Sequence, residues 1–191
     1  MILTDRFLKT AIEHGNITIK PFFDSIGTNS IDLHLAPTLL RYKDTVLDCA
    51  KVNECIEDTI PVEGMILQPG ELYLGATIEW TKSDMYVPLL EGKSSIGRLG
   101  ISVHITAGVG DIGFDGYWTL EISVIKPVKI YPGIPIAQLM YFEAGECEIP
   151  YHVNTSSKYI NQRCKPKAVT SAMYKNFPIK DSVKEYLNNL E

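Results

Sequence analysis

The segment 91–122 concentrates the residue types that can do chemistry. It reads EGKSSIGRLGISVHITAGVGDIGFDGYWTLEI, with glycine at 92, 97, 100, 108, 110, 113 and 116. Lys93, Ser94, Ser95 and Arg98 fall within six residues of one another. Two cations supply charge, two hydroxyls supply donors, and the N–H groups of a tight turn form an anion nest. The cluster has two readings, a solvated turn or a phosphate site. It is not the nucleotide loop G-x-x-x-x-G-K, because Val87 stands where the first glycine belongs. Glu121 lies in Trp118-Thr119-Leu120-Glu121-Ile122, and its alternate neighbours Thr119 and Ser123 are polar. That face meets either solvent or a ligand cavity. In a cavity, a partly desolvated carboxyl can take up and return a proton near neutral pH. Asp111, between Gly110 and Gly113, is either a turn former that bonds its own backbone or a ligand contact. His104, in an apolar alternation, reads as a satisfied core or interface residue rather than a catalyst.

These residues need a scaffold, and composition bounds it. The chain has 191 residues, 45% hydrophobic and 21% charged. That is ordinary globular usage and excludes a disordered chain or a fibre. The net charge of −5 speaks against a nucleic-acid polymer or an anionic membrane as partner. A small anion needs only a local donor cluster. The four cysteines, Cys49, Cys55, Cys147 and Cys164, form no C-x-x-C pair and lie at no zinc-finger spacing. They read as reduced thiols, without a structural zinc. Residues 1–15 carry acids and the cations Arg6 and Lys9 where a signal peptide is apolar, and no run approaches ~18 apolar residues. The expectation is a soluble cytoplasmic protein.

Thr4, Phe7, Leu8, Ile12 and Gly15 predict a helix over 5–14. Short apolar or alternating runs follow at 17–20, 31–35, 38–42, 45–48, 65–67, 71–79, 85–89, 101–105, 117–125, 128–131 and 134–142. Gly, Pro, Asn and Asp bound them, the rhythm of an antiparallel sandwich or barrel. The Gly92-Lys93-Ser94-Ser95 turn leads into one short helix and then a strand. The segment 152–178 is polar and basic and reads as a surface arm or lid. A last amphipathic helix is expected over 180–190, with Val183, Tyr186, Leu187 and Leu190 on one side. The organisation is thus one β domain over 1–178 and a helical appendage over 179–191. Sheet edges in such a fold need covering, which favours a homo-oligomer.

The block Gly92-Lys93-Ser94-Ser95-Ile96-Gly97-Arg98-Leu99-Gly100, then His104-Ile105-Thr106-Ala107-Gly108, Asp111-Ile112-Gly113-Phe114 and Thr119-Leu120-Glu121, resembles the dCTP deaminase family of the trimeric dUTPase-like superfamily. Met1-Ile2-Leu3-Thr4-Asp5, Asn29-Ser30-Ile31-Asp32-Leu33-His34-Leu35, Ile136-Ala137-Gln138-Leu139 and Pro150-Tyr151 with Lys158-Tyr159 and Gln162 extend the likeness over most of 1–165. The resemblance implies a mostly β fold, a distorted jelly-roll or β-sandwich of the dUTPase-like type. It implies deamination of dCTP to dUTP and ammonia without zinc. The residues agree with that last point, since the H-x-E and P-C-x-x-C signature of zinc deaminases is absent.

By matched position, Glu121 would be the general base, taking a proton from a water held by the Ala107 carbonyl, Ser94 and Arg98. Lys93, Ser94, Ser95, Ile96, Gly97 and Arg98 would hold the triphosphate, with Tyr151, Lys158 and Gln162 from the arm. Asp111 would meet the deoxyribose or base. The backbone of Thr119, Leu120 and Glu121 would read the pyrimidine edge, and Gln138 belongs to the same binding set. Lys93 stands where many relatives carry Arg, which keeps the charge and loses the bidentate geometry. Mg²⁺ would be bound through the nucleotide phosphates rather than by dedicated protein ligands. The resemblance further implies a homotrimer with inter-subunit sites, dCTP and dUTP as ligands and dTTP as an inhibitor.

The main expectation is release of dUTP. The alternative is a bifunctional enzyme that continues to dUMP and diphosphate. Thr106-Ala107-Gly108-Val109-Gly110-Asp111 resembles the dUTPase turn whose Asp orients the attacking water, and relatives that only deaminate often carry bulkier polar residues where Gly108 and Val109 stand. A dUTPase alone and a non-catalytic nucleotide-binding regulator complete the set. Glu121, Arg98 and Ser94 together argue against the silent binder.

Overall fold

Leu8 and Ala11, one turn apart, bury one side of the first helix, α1 (Asp5–Glu13). It stops at Gly15, whose φ of 76° suits glycine and strains other residues. Thr4 is extended at the cap position but its side chain makes no cap bond. The computed structural model describes residues 1–160, 162 and 165–188. After α1 come β1 (Ile17–Lys20), β2 (Ile31–Tyr42), β3 (Cys55–Thr59), β4 (Met65–Leu67), β5 (Tyr73–Ser83) and β6 (Tyr86–Gly92). The short helix α2 (Ser94–Gly97) follows, then β7 (Ile101–Ser102), β8 (Asp115–Val124), β9 (Val128–Ile130) and β10 (Pro135–Glu143). A 3-10 turn (Met173–Asn176) and α3 (Asp181–Asn188) close the described chain.

The main sheet runs β6-β10-β2-β5-β8-β7, with β1 also on β5 and β3 on β2, while β4 and β9 form a separate pair. All these pairings are antiparallel. The described residues are mostly β with three α-helices, as the sequence predicts. The expected runs 31–35 and 38–42 are one strand. An irregularity between Leu35 and Leu39 lets Pro37, which has no N–H to give the ladder, sit inside it. Residues 45–48 form no strand. There, Asp48 N–H donates to Asn53 Oδ1 and Asn53 Nδ2 donates to the Asp48 carbonyl, so side chains replace a ladder. The predicted strand 101–105 shortens to Ile101–Ser102. Leu190 of the expected last helix, like Cys164, lies outside the described residues.

Strand β8 alternates strictly, with Gly116, Trp118, Leu120, Ile122 and Val124 turned inward. Leu120 and Ile122 are fully buried with Leu33, Leu35 and Leu39 of β2 in the main core. Each such side chain contributes about 1.5–3 kcal/mol of burial free energy. The other face of β8 carries Tyr117, Thr119, Glu121 and Ser123. A second cluster, Ala36, Leu40, Leu74 and Ala76, is covered by Ala168 of the C-terminal segment. That segment is therefore not merely a surface arm. Gln162, Ala168 and Ala172 are buried. Val169 N–H donates to Thr119 Oγ1 at 3.1 Å, Ser171 N–H to the Tyr42 hydroxyl at 3.1 Å, and Lys167 pairs with Glu57. One polar pair lies deep between strands. Glu79 of β5 accepts the His34 N–H at 2.9 Å and faces its Nδ1 at 2.5 Å, which satisfies a carboxylate only 2% exposed.

Candidate active site

Glu121 is partly buried and stitched to a single loop. Its N–H donates to the Val103 carbonyl at 2.8 Å. Its Oε2 accepts the N–H groups of Ile105 at 2.8 Å and Thr106 at 3.3 Å. The two carboxylate bonds hold 105 and 106 just beyond the end of β7. Among the described residues, no hydrogen bond reaches Oε1. Ala107 follows directly with φ 62°, the left-handed region that costs a residue with a Cβ about 1–3 kcal/mol. The bonds after it hold that shape. Leu90 N–H donates to the Gly108 carbonyl at 2.7 Å, and Gly110 N–H donates to the Pro88 carbonyl at 2.8 Å. A Cβ on Gly108 would lie 2.8 Å from the Leu90 oxygen, so the turn as built excludes a larger residue there. The fold thus places the Glu121 carboxylate and Ala107 at one loop.

The Lys93–Arg98 turn is anchored by Ile96, which is buried in the main core. The Lys93 carbonyl accepts the N–H groups of Ile96 at 3.0 Å and Gly97 at 2.9 Å. Those two amides are spent within the turn. What it presents outward are the exposed Ser94 and Ser95 and the Arg98 guanidinium. Lys93 is not free either, since its Nζ lies 2.5 Å from Asp32 Oδ1 on β2. Gln138 of β10 pairs in register with Asp32 on one side and Glu91 on the other. Its Nε2 donates to the Gly92 carbonyl at 3.5 Å and its Oε1 accepts from Ser30 Oγ at 3.4 Å. Lys93 and Gln138 therefore brace the foot of the turn. His104 departs from the satisfied core histidine. Its Nε2 is 3.4 Å from Glu91 Oε2, and among the described residues neither ring nitrogen makes a hydrogen bond.

Ala107 also lines a cavity of about 720 Å³. Ala107, Gly110, Asp111, Tyr151 and Lys158 line it. Tyr151 N–H donates to the Ile112 carbonyl at 2.8 Å, and its hydroxyl accepts the Tyr159 N–H at 3.0 Å. Burial pushes the Tyr151 phenol above its usual range. The Tyr159 bond opposes that shift and the Asp111 charge adds to it. Tyr151 thus lines the cavity with its phenol protonated at neutral pH. Gln162 is not part of this cavity. It borders a smaller one of about 170 Å³ with Lys158, Tyr159 and Thr170, and its carbonyl accepts the Tyr117 N–H at 3.0 Å. Thr119 lies beneath the arm, and the Leu120 side chain is in the core, so only its backbone can face a ligand.

The fold thus brings together Ala107, Asp111, Tyr151 and Lys158, with Glu121 joined to them through the loop. Glu121 itself, with Lys93, Ser94, Ser95, Arg98 and Gln138, stands outside the cavity wall. Sequence reasoning missed Cys147, Asn154, Ser156, Ser157 and Tyr159, all in that wall. Asn154 Oδ1 accepts from Ser156 N–H at 3.0 Å and from its hydroxyl at 2.7 Å, an Asx turn. The run Asn154-Thr155-Ser156-Ser157 beside Lys158 was the signal that could have found them. Among the described residues, no three His, Cys, Asp or Glu side chains converge as a metal-binding group.

A family model described as dCTP deaminase-like matches residues 2–144. The chain belongs to the dCTP deaminase-like family. Similar family members include the dUMP-forming dCTP deaminase of Hathewaya histolytica, 49% identical over 162 residues, covering 84% of this chain and 92% of the relative. The dUMP-forming dCTP deaminase of Clostridium acetobutylicum is 45% identical over 178 residues, covering 93% and 99%. The crystal structure of 2'-deoxycytidine 5'-triphosphate deaminase from Agrobacterium tumefaciens shares the fold, with a TM-score of 0.59 at 19% identity over 75% of this chain. This chain spans about half of that protein, 48% of its length. In the dCTP deaminase-like chain the match ends at residue 144, before the arm that completes the cavity.

Proposed function

We propose that this chain is a dUMP-forming dCTP deaminase that uses two waters in succession. The first replaces the amino group at C4 of cytosine and releases ammonia. The second attacks the α-phosphorus of dUTP and releases diphosphate. The relatives at 45–49% identity, which bear the dUMP-forming name, favour this alternative over simple release of dUTP. One observation carries the reading. The single loop 103–111 ties Glu121 at one end and projects Asp111 into the cavity at the other.

In the first step Glu121 takes a proton from a water held against the Ala107 carbonyl by Ser94 and Arg98. The hydroxide adds to C4, and Glu121 returns the proton to the departing amine. Positioned acid–base transfer of this kind contributes about 10²–10⁴ in rate. In the second step Asp111 orients a water, and diphosphate leaves with its charge offset by Arg98 and Lys158. Tyr151 closes the cavity wall as a neutral donor. Asp111 is the one carboxylate among the described residues of that wall, which suits Mg²⁺ carried in on the nucleotide phosphates. The metal would neutralise phosphate charge there.

Ser94 and Arg98 are exposed and outside the cavity of their own chain. This supports a homotrimer in which the turn of one subunit serves the cavity of its neighbour. Exposed Leu99, Ile105 and Val109 flank these residues and would be covered by that contact. dTTP shares the triphosphate but lacks the 4-amino group, and would occupy the site as an inhibitor. No described helix is long and apolar enough to cross a membrane, and the setting we assign is the cytoplasm. The test is incubation with dCTP, Mg²⁺ and a zinc chelator, reading ammonia and separating the nucleotides. Ammonia with dUMP is expected. Ammonia release that stops on zinc removal would contradict water activation by Glu121.

A further inference from the structure

We infer that Trp118 is a positioning residue for the diphosphate-releasing step, and that its indole is the platform on which the Asp111 turn rests. This deepens the dUMP-forming reading and depends on it. Trp118 is on the inward face of β8 and only 8% exposed. It is fixed at two points. Its N–H donates to Thr77 Oγ1 at 3.0 Å, where the β5–β8 register is irregular between Ala76 and Trp80. Its Nε1–H donates to Thr81 Oγ1 at 2.8 Å. Both threonines are buried, at 0% and 1% exposure, so the indole has one orientation.

The far edge of the ring abuts Gly110. A Cβ there would lie 2.4 Å from Trp118 Cη2 and 2.9 Å from Pro88 Cγ. Glycine is required, and the residue before Asp111 is in direct contact with the indole. On the other side of Asp111, Phe114 packs on Trp118 with centroids 4.4 Å apart. Phe114 in turn meets Tyr151, with centroids 5.9 Å apart. The indole thus contacts the segment 110–114 at both ends and reaches the cavity phenol through one ring. Glu121 is held separately, by Ile105 and Thr106. Loosening the indole should therefore move Asp111 and spare the deaminating group.

The experiment compares wild type, Trp118→Leu and Trp118→Phe on dCTP, with ammonia and diphosphate release timed separately. Misplacement by about 1 Å costs on the order of 10²-fold. The diphosphate-to-ammonia ratio should then fall by roughly tenfold or more in Trp118→Leu, with dUTP accumulating. Trp118→Phe, which keeps a ring and loses the Thr81 bond, should fall between. A structural role alone would lower both releases in parallel. An unchanged ratio in the variants, whether rates fall together or not at all, overturns the proposal. If Trp118→Leu does not fold, the ratio in Trp118→Phe decides. A wild type that releases only dUTP overturns the dUMP-forming reading itself, visible before any substitution.

Discussion

Replacing Glu121 with Gln removes a proton acceptor and keeps a shape, and the structure separates the two costs. Oε2 accepts two N–H bonds, at 2.8 Å from Ile105 and 3.3 Å from Thr106. The glutamine carbonyl oxygen can accept both, so only their charge-assisted share is lost. Hydrogen bonds to charged groups contribute about 1.5–3 kcal/mol and neutral ones about 0.5–1.5. The short bond therefore loses about 1 kcal/mol and the long one less. For a domain of this size each kcal/mol lowers Tm by about 2–4 °C. The loop stays in place and the protein folds. Turnover should fall by about 10²–10⁴, the worth of a positioned acid–base group, or roughly 3–5 kcal/mol of barrier. Ammonia release at saturating dCTP measures the first quantity, and titration calorimetry measures dCTP affinity. Affinity should stay within about threefold of wild type, since the glutamine keeps the shape of the side chain. Turnover within tenfold of wild type on a folded variant would remove Glu121 from the proton-transfer role. Loss of binding in step with turnover would make it a ligand contact instead.

Three further outcomes follow from other contacts. Gly113 has φ 81°, and a Cβ there would lie 2.7 Å from Pro150 Cβ and 2.8 Å from His152 Nδ1. Gly113→Ala should cost about 1–3 kcal/mol, seen as a lower Tm and a raised KM as the arm is pushed from the cavity. Asp111→Asn should cut diphosphate release by about 10² or more, with ammonia release falling far less, in the same timed assay. Burial pushes the phenols of Tyr141 and Tyr151 upward, so the native state holds those protons more tightly than the unfolded chain. Their contribution to stability is full below the ordinary tyrosine range near ~10 and is lost as pH rises through the raised native values. In an alkaline titration, Tyr141 should form tyrosinate only as near-UV dichroism collapses, and earlier ionisation would contradict its burial.

What the sequence made legible was local. Strands Ile17–Lys20 and Met65–Leu67 match the sequence pattern to the residue, because short apolar runs are bounded there by turn formers. Glycine spacing likewise exposed the loop that carries Ala107 and Asp111. What it hid was pairing between distant residues. Strand β3 escaped because Glu57 and Asp58 break its apolar pattern, and their partners are Lys167 and Arg41 on other elements. Lys93 looked like a free phosphate ligand, yet its Nζ meets Asp32, a residue 61 positions away. Only strand register creates that contact, and register is not readable from one strand. The polar composition of the arm hides Ala168 and Ala172, which find apolar partners or cover only after the sheet forms. The His34–Glu79 pair is hidden from the sequence for the same reason.

The product stoichiometry from dCTP tests the central claim most directly. A timed reaction with Mg²⁺ should yield ammonia, diphosphate and dUMP in equal amounts, because under the proposed function each dCTP undergoes both hydrolyses. Ammonia with accumulating dUTP and no diphosphate would contradict the dUMP-forming reading, and diphosphate without ammonia would contradict deamination at Glu121.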